Sequence, residues 1–340
     1  MKLETATYRL ENQSIFRIAH GARTHTDTFF VRLSRQGIYG VGEATPVPYY
    51  GITPADMSHR LASLAPILEE LDWDTPEELW HALDPYLSTN RFAQCALDMA
   101  AHDWYGKRLH QPLYQIWGLS LENLPVSNYT IGIDEVSVMQ EKIKSIDFPL
   151  YKIKLGTTED VAIVRALREV TQAPFRVDAN GAWTVDQTLA YAPQLKALGV
   201  EFIEQPLAAS DWDGMKALRG RSVLPLIADE SCQVEADVTR CAEVFDGVNI
   251  KLAKCGGLTP ARRMISQARK LGLNVMCGCM TESSVGISAI AHLLPLLDYV
   301  DMDGALLISN DPAQGVQLDQ GQVKFTNQPG LGVTLPWTKL

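Results

Sequence analysis

Seven polar residues stand at the ends of short apolar runs: Lys154, Asp178, Glu204, Asp229, Lys251, Asp301 and Asp303. Acids and amines in that company can do two kinds of chemistry. Three carboxylates gathered in a low-dielectric mouth repel one another unless a cation sits between them, and an all-oxygen ligand set suits a hard ion such as Mg2+. Two amines on opposite sides of a bound molecule can remove a proton from one face of a carbon and return one to the other. A further amine, Lys152, lies two residues before Lys154 in YKIKLG, which reads as a strand, so both ammonium groups point the same way. Each is expected to lower the pKa of the other, leaving Lys154 as a free amine near neutrality.

These residues need a frame that brings them together. From about residue 125 short apolar runs alternate with amphipathic helical segments: SNYTIGI, YKIKL, FRVDAN, EFIEQP, PLIADE, GVNIK, NVMCGCM and YVDMDG. The first five polar positions are 24, 26, 25 and 22 residues apart by subtraction. Eight runs with a repeat near 25 residues fit an α/β fold, a (β/α)8 barrel whose active residues lie at the C-terminal ends of its strands. No G-x-G-x-x-G follows the first run, which speaks against a dinucleotide-binding sheet.

In a barrel, Asp178, Glu204 and Asp229 occupy the third, fourth and fifth strands, which are neighbours. Lys154 on the second strand and Lys251 on the sixth face each other across the axis. Asp301-Met302-Asp303 ends the eighth strand opposite Glu204, where an acidic pair can grip a cationic group at the substrate's far end. The plain alternatives are helix caps, loop salt bridges and the solubilising charges of an edge strand.

Residues 1–120 read as an α+β module completed by about 320–340, with the barrel over 121–319. TFFVRLSRQGIYGVGEATP (28–46) has the alternation of a hairpin, and 54–71 and 90–109 have helical spacing. The formal net charge of −10 argues against a nucleic acid or an anionic membrane as partner. The opening MKLETATYRLENQ has no apolar signal core and no later run is long enough to span a bilayer, so a cytoplasmic protein is expected. Six cysteines without a C-x-x-C pair fit reduced, structural thiols, and Cys277-x-Cys279 makes a weak zinc site.

Over its whole length the sequence resembles the enolase superfamily, in the muconate lactonizing enzyme subgroup. The likeness rests on the K-x-K of Lys152 and Lys154, the VDAN of Asp178, the IEQP of Glu204, the ADES of Asp229 and the NIKLAKCGG of Lys251, in that order. Within the subgroup the DMDG of Asp301 and Asp303 is similar to the eighth-strand D-x-D of the dipeptide epimerases, including those acting on L-Ala-D/L-Glu. The resemblance implies a modified barrel with a capping domain. It also implies Mg2+ on the substrate carboxylate, aspartates on the dipeptide's ammonium, and two-lysine proton transfer through an enolate.

It further implies that IAHGARTHT (18–26) is a specificity loop in which Arg23 meets an acidic side chain, with His20 where one such enzyme type has a second Arg. Asn180 and Glu230 are expected beside the metal ligands, with Glu230 next to Lys251. Thr130, Met280 and Glu282, with the loops at 18–26 and 49–53, are expected to set side-chain preference; Glu282 would favour a cationic one. A homo-oligomer is compatible with the resemblance. The rival readings are o-succinylbenzoate synthase or N-acylamino acid racemase, for which a D-x-D has no purpose, then muconate cycloisomerase, and a non-catalytic ligand-binding barrel.

Overall fold

A computed structural model describes all 340 residues. The chain opens with a three-stranded antiparallel sheet, β1 (Lys2–Ile18), β2 (Gly21–Arg35) and β3 (Ile38–Ala44). β1 goes unmarked in the sequence because both its faces are largely solvated, so no apolar alternation announces it. The expected hairpin over 28–46 forms between β2 and β3, turning at Gln36 and Gly37, both at positive φ as a tight two-residue turn requires.

Three helices follow: α1 (Pro54–Glu70) and α3 (Arg91–Arg108) pack on the sheet, and α2 (Pro76–Leu87) packs on α3. Thr53 with Asp56 and Thr75 with Glu78 form capping boxes that fix the first two starts. α2 was not marked by sequence periodicity. α3 lies so close on β3 that a Cβ on Gly40 or Gly42 would fall 2.0 or 2.1 Å from a carbonyl oxygen of α3, so any larger residue would force the layers apart.

The eight expected barrel strands all form: β4 (Tyr129–Ile131), β5 (Tyr151–Lys154), β6 (Phe175–Asp178), β7 (Val200–Glu204), β8 (Leu226–Ala228), β9 (Gly247–Lys251), β10 (Asn274–Gly278) and β11 (Tyr299–Asp301). They pair in sequence order and in parallel, with helices between them, and β4 and β11 meet through a single bridge, Ser127 to Val300. The fold is a near-closed (β/α)8 barrel carrying an N-terminal antiparallel sheet. No helix is long and apolar enough to cross a membrane.

The two-residue period of each strand sorts its side chains. On β6, Phe175 and Val177 join the main apolar core while Arg176 and Asp178 go to the interior of the barrel. Phe202, Ile227 and Met276 fill the lower interior, where the Arg176 guanidinium lies 5.4 Å from the Phe202 ring and 5.0 Å from that of Tyr299. That plug leaves the polar layer above it facing one way only, toward the antiparallel sheet.

Sheet and barrel share a buried carboxylate. Glu43 on β3 accepts hydrogen bonds from Thr28 Oγ1 (2.8 Å), Ser283 N (3.0 Å), Ser283 Oγ (2.6 Å) and Gly286 N (2.9 Å). The last three donors belong to the first turn of the helix after β10, where an acid is favoured. After β11 the chain returns to the first module: Leu331 N and Val41 N both donate to Asp103 of α3, at 2.9 and 2.8 Å.

Candidate active site

Asp178, Glu204 and Asp229 are fully buried, and their carboxylate oxygens lie within 4.8 Å of one another. Lys154, Asp178 and Glu204 end β5, β6 and β7 in register, and Asp229 follows β8. Glu204 Oε1 accepts from Asn249 Nδ2 at 2.9 Å, whereas Oε2 takes no hydrogen bond, although the Lys152 ammonium is 2.8 Å away. A buried carboxylate oxygen left without a donor, between two more carboxylates, is what a hard divalent cation satisfies. The residues present therefore fit Mg2+.

The lysines hold this charge in two matched pairs. Asp178 Oδ2 receives Lys154 at 2.6 Å and lies 3.2 Å from Lys152; Asp229 Oδ2 receives Lys251 at 2.8 Å and its Oδ1 receives Lys254 at 2.6 Å. Burial alone would raise the Asp229 pKa, but Lys251, Lys254 and Lys152 hold it well below the usual carboxylate range. Asp178 is likewise lowered against its burial, by Lys154 and Lys152. Burial and the neighbouring Asp178 push Glu204 up to about 7.

One expectation is reversed. Lys152 was to have its pKa lowered by its charged neighbour. Its burial does act that way, but Asp301, Glu204 and Asp178 around it hold the ammonium well above its ordinary value. The reason is the barrel interior: acids on β6, β7 and β11 all reach the side chain that a strand view sees only beside Lys154.

Above this layer a cleft of about 1070 Å3 opens between barrel and sheet. Lys154, Lys251, Asn180, Glu230, Thr130, Met280, Asp301 and Asp303 line it from the barrel, and His20, Arg23, Tyr49 and Tyr50 from the sheet side. Asn180 Nδ2 donates to Glu230 Oε1 at 3.1 Å, and burial together with the Asp229 charge pushes Glu230 up to about 7. Arg23 is half-buried and pairs with no acid; desolvation lowers its pKa. The stretch 18–26 is no loop but a hairpin, turning at Ala19 and His20 and already in β2 by Gly21, with the His20 ring 5.5 Å from that of Tyr49.

Glu282 is not brought into the cleft. It is 5 % exposed and turned under its own helix start, accepting from Met280 N at 3.2 Å. Gly286 leaves the space it fills: a Cβ there would lie 2.3 Å from Glu282 Oε2. Burial, with Glu43 behind it, pushes Glu282 up to about 8. An acid whose folded pKa lies above its ordinary 4.5 costs stability as pH rises between the two, because only the unfolded chain ionises there. Glu282→Gln is therefore expected to gain on the parent protein in urea unfolding midpoint from about pH 5 to about pH 8. A gap that stays constant over that range would show Glu282 to be ionised in the fold.

Two residues of the polar layer were missed in the sequence. Lys254 is 3 % exposed in the short turn after β9, and its ammonium also donates to the Asp229 and Asn249 carbonyls, at 2.6 and 3.1 Å. Asn249 stands two residues before Lys251 on β9 and so shares its face, a spacing that was there to be read.

A (β/α)8 barrel with acids on three successive strand ends, lysines on opposed strands and an antiparallel sheet closing its mouth is the architecture of the enolase superfamily. Two family descriptions match in order: mandelate racemase/muconate lactonizing enzyme, N-terminal domain, over residues 4–118, and enolase C-terminal domain-like over 135–339. The chain belongs to this family. Among its relatives is an L-Ala-D/L-amino acid epimerase of a Maribacter species, 53% identical over 336 residues that cover 98% of this chain and 99% of the relative. Among solved structures, a substrate-liganded L-Ala-D/L-Glu epimerase from Bacillus subtilis superposes with a TM-score of 0.93 at 25% identity, covering 98% of each chain. A dipeptide epimerase from Cytophaga hutchinsonii, complexed with Mg and D-Ala-L-Val, gives 0.92 at 25% identity, covering 98% of this chain and 95% of that one.

Proposed function

We propose that this protein is a Mg2+-dependent dipeptide epimerase that inverts the α-carbon of the C-terminal residue, with L-Ala-D/L-Glu or related dipeptides as substrates. The observation that carries the reading is that Lys154 and Lys251, on the second and sixth of eight strands, both open into one cleft directly above the three carboxylates. Asp178, Glu204 and Asp229 would hold Mg2+, which supplies positive charge to the substrate carboxylate, where negative charge grows as the α-proton leaves.

The chain's own residues do the rest. One lysine, as free amine, takes the α-proton from its face of the carbon, and the bonding pair passes into the enolate. The other, as ammonium, delivers a proton to the opposite face and becomes the free amine, so the two exchange duties in the reverse direction. Lys152 stays charged beside Lys154, and Lys254 beside Lys251, so the buried carboxylates keep a cation whichever amine is neutral. Asp301 and Asp303 favour a substrate with a free ammonium over an N-acyl amino acid. The unpaired Arg23 favours an acidic side chain, and Glu282, turned away from the cleft, takes no part in selection. Six unpaired cysteines favour a cytoplasmic setting.

The test is mass spectrometry of pooled dipeptides incubated with the protein and Mg2+ in D2O. Each substrate gains one mass unit as its α-proton exchanges. Exchange in Ala-Glu and its kin, lost with EDTA, is expected; exchange only in N-succinyl amino acids would replace the reading by the racemase one.

A further inference from the structure

The two lysines that face each other across the barrel are held in different ways. Lys154 ends β5, and the chain beyond it is fixed by an acid of the same loop. Asp160, buried, accepts from Gly156 N at 2.9 Å, Thr157 N at 2.8 Å and Thr157 Oγ1 at 2.7 Å, and the Trp183 indole donates to it at 2.6 Å. The Lys154 turn is tied down within the barrel.

Lys251 ends β9 and leads straight into the single helical turn Leu252–Cys255, followed by the helix Leu258–Lys270. Neither start is capped by the side chain before it, and the residue before the second is Gly257. The acceptor comes instead from α3. There the buried Asp98 accepts from Thr259 N at 3.0 Å through Oδ2 and from Thr259 Oγ1 at 2.6 Å through Oδ1, taking up a donor that a helix start otherwise leaves open. Only glycine fits against this carboxylate: a Cβ on Gly257, at φ 116°, would lie 2.3 Å from Asp98 Oδ2. Trp80 on α2 adds a second tie, its indole N–H donating to the Gly256 carbonyl at 2.9 Å.

The path from this corner back to Lys251 is short and stiff. Gly256 N and Gly257 N both donate to the Leu252 carbonyl, at 3.0 and 2.9 Å, and the Lys254 ammonium is anchored on Asp229 and on the Asn249 carbonyl. Movement of the Gly256–Thr259 corner therefore carries the end of β9 with it.

We propose that Asp98 is a positioning residue for Lys251: α3, reaching across from the first module, sets the turn that aims this amine, while Lys154 is set by its own loop through Asp160. The inference rests on the two-lysine reading above. It makes the first module part of one half of the proton transfer as well as a wall of the cleft.

The experiment follows, by proton NMR in D2O with Mg2+, how fast each diastereomer of L-Ala-Glu, or of the pooled dipeptide that exchanges fastest, loses its α-proton. Lys251→Ala identifies the diastereomer that depends on Lys251. Epimerisation uses both lysines and falls in both directions, so proton loss is the reading that separates them. Asp98→Ala is expected to slow proton loss about tenfold or more in the Lys251-dependent diastereomer, and less than about threefold in the other, because only one base is misplaced. Asp98→Asn is expected to recover most of the rate, since its amide oxygen can accept from Thr259 N and its NH2 can donate to Thr259 Oγ1. Asp160→Ala should show the opposite bias. Thermal unfolding checks folding. Should Asp98→Ala fail to fold, Thr259→Val, which deletes one of the two hydrogen bonds, carries the comparison with the same bias at smaller size.

A folded Asp98→Ala that slows both diastereomers alike, or neither, overturns the inference and leaves the epimerase reading standing. So does an Asp160→Ala with the same bias as Asp98→Ala. If the parent protein releases no α-proton from any dipeptide, the epimerase reading itself fails and takes this inference with it.

Discussion

Replacing Lys251 by alanine is expected to abolish interconversion of L-Ala-L-Glu and L-Ala-D-Glu while leaving solvent exchange of the α-proton in one of the two. Epimerisation needs a proton donor on one face and an acceptor on the other, whereas exchange needs a single amine that removes and returns a proton on its own side. Loss of a positioned acid or base costs about 10²–10⁴-fold, so interconversion should fall by about 10³-fold or more. Lys154→Ala should show the mirror result, keeping exchange only in the other diastereomer.

The paired lysines make this experiment clean. Lys251→Ala leaves Asp229 with Lys254, and Lys154→Ala leaves Asp178 with Lys152, so neither variant strands a buried carboxylate. Proton NMR of each diastereomer in D2O reads the outcome. Exchange that survives in both, or disappears from both in a folded variant, would sink the assignment of one lysine to each face.

Removal of the metal should have the second large effect, on both activity and stability. Three buried carboxylates share two lysine pairs, and Glu204 Oε2 is left without a hydrogen bond. A cation that binds only the folded chain stabilises it by about 2.7 kcal/mol at a hundredfold excess over its Kd. For a chain of this size that is a rise in Tm of several degrees. Dialysis against EDTA is expected to stop turnover and lower Tm, and Mg2+ to restore both. Glu204→Gln keeps the shape but removes one charged ligand, so it should need far more Mg2+ to reach the same Tm. An EDTA-treated protein with unchanged Tm and full activity would remove the metal from the mechanism.

Much of the site was legible because barrel strands repeat. The interval near 25 residues and the two-residue period of a strand suffice to place Lys152, Lys154, Asp178, Glu204, Asp229 and Lys251 in one mouth. What the repeat does not carry was missed. Lys254 lies past the strand end, where a short turn, not a pleat, aims it at Asp229. Asn128 precedes its strand, and its hydrogen bond to Asp301, between positions 173 residues apart, forms only where the ring closes.

Glu282 was misplaced for a related reason: an acid after a strand points to the mouth by default, and only the vacancy at Gly286 turns it inward. The antiparallel sheet was half legible. In its inner hairpin Val31-Arg32-Leu33-Ser34 alternates buried and half-buried residues, whereas β1 is largely solvated on both faces and gives no such signal.

The hairpin that carries His20 and Arg23 bears on how this protein can diversify. A ladder of backbone hydrogen bonds holds its register whatever the exposed side chains are. The residues that face the distal part of a ligand can therefore be exchanged one at a time without disturbing the frame. The charged layer beneath it has no such freedom, because Lys152, Lys154, Lys251 and Lys254 are the counter-ions of Asp178, Glu204 and Asp229. On the proposed reading, selectivity and chemistry are written on surfaces of opposite tolerance: one can drift toward new substrates while the other stays fixed.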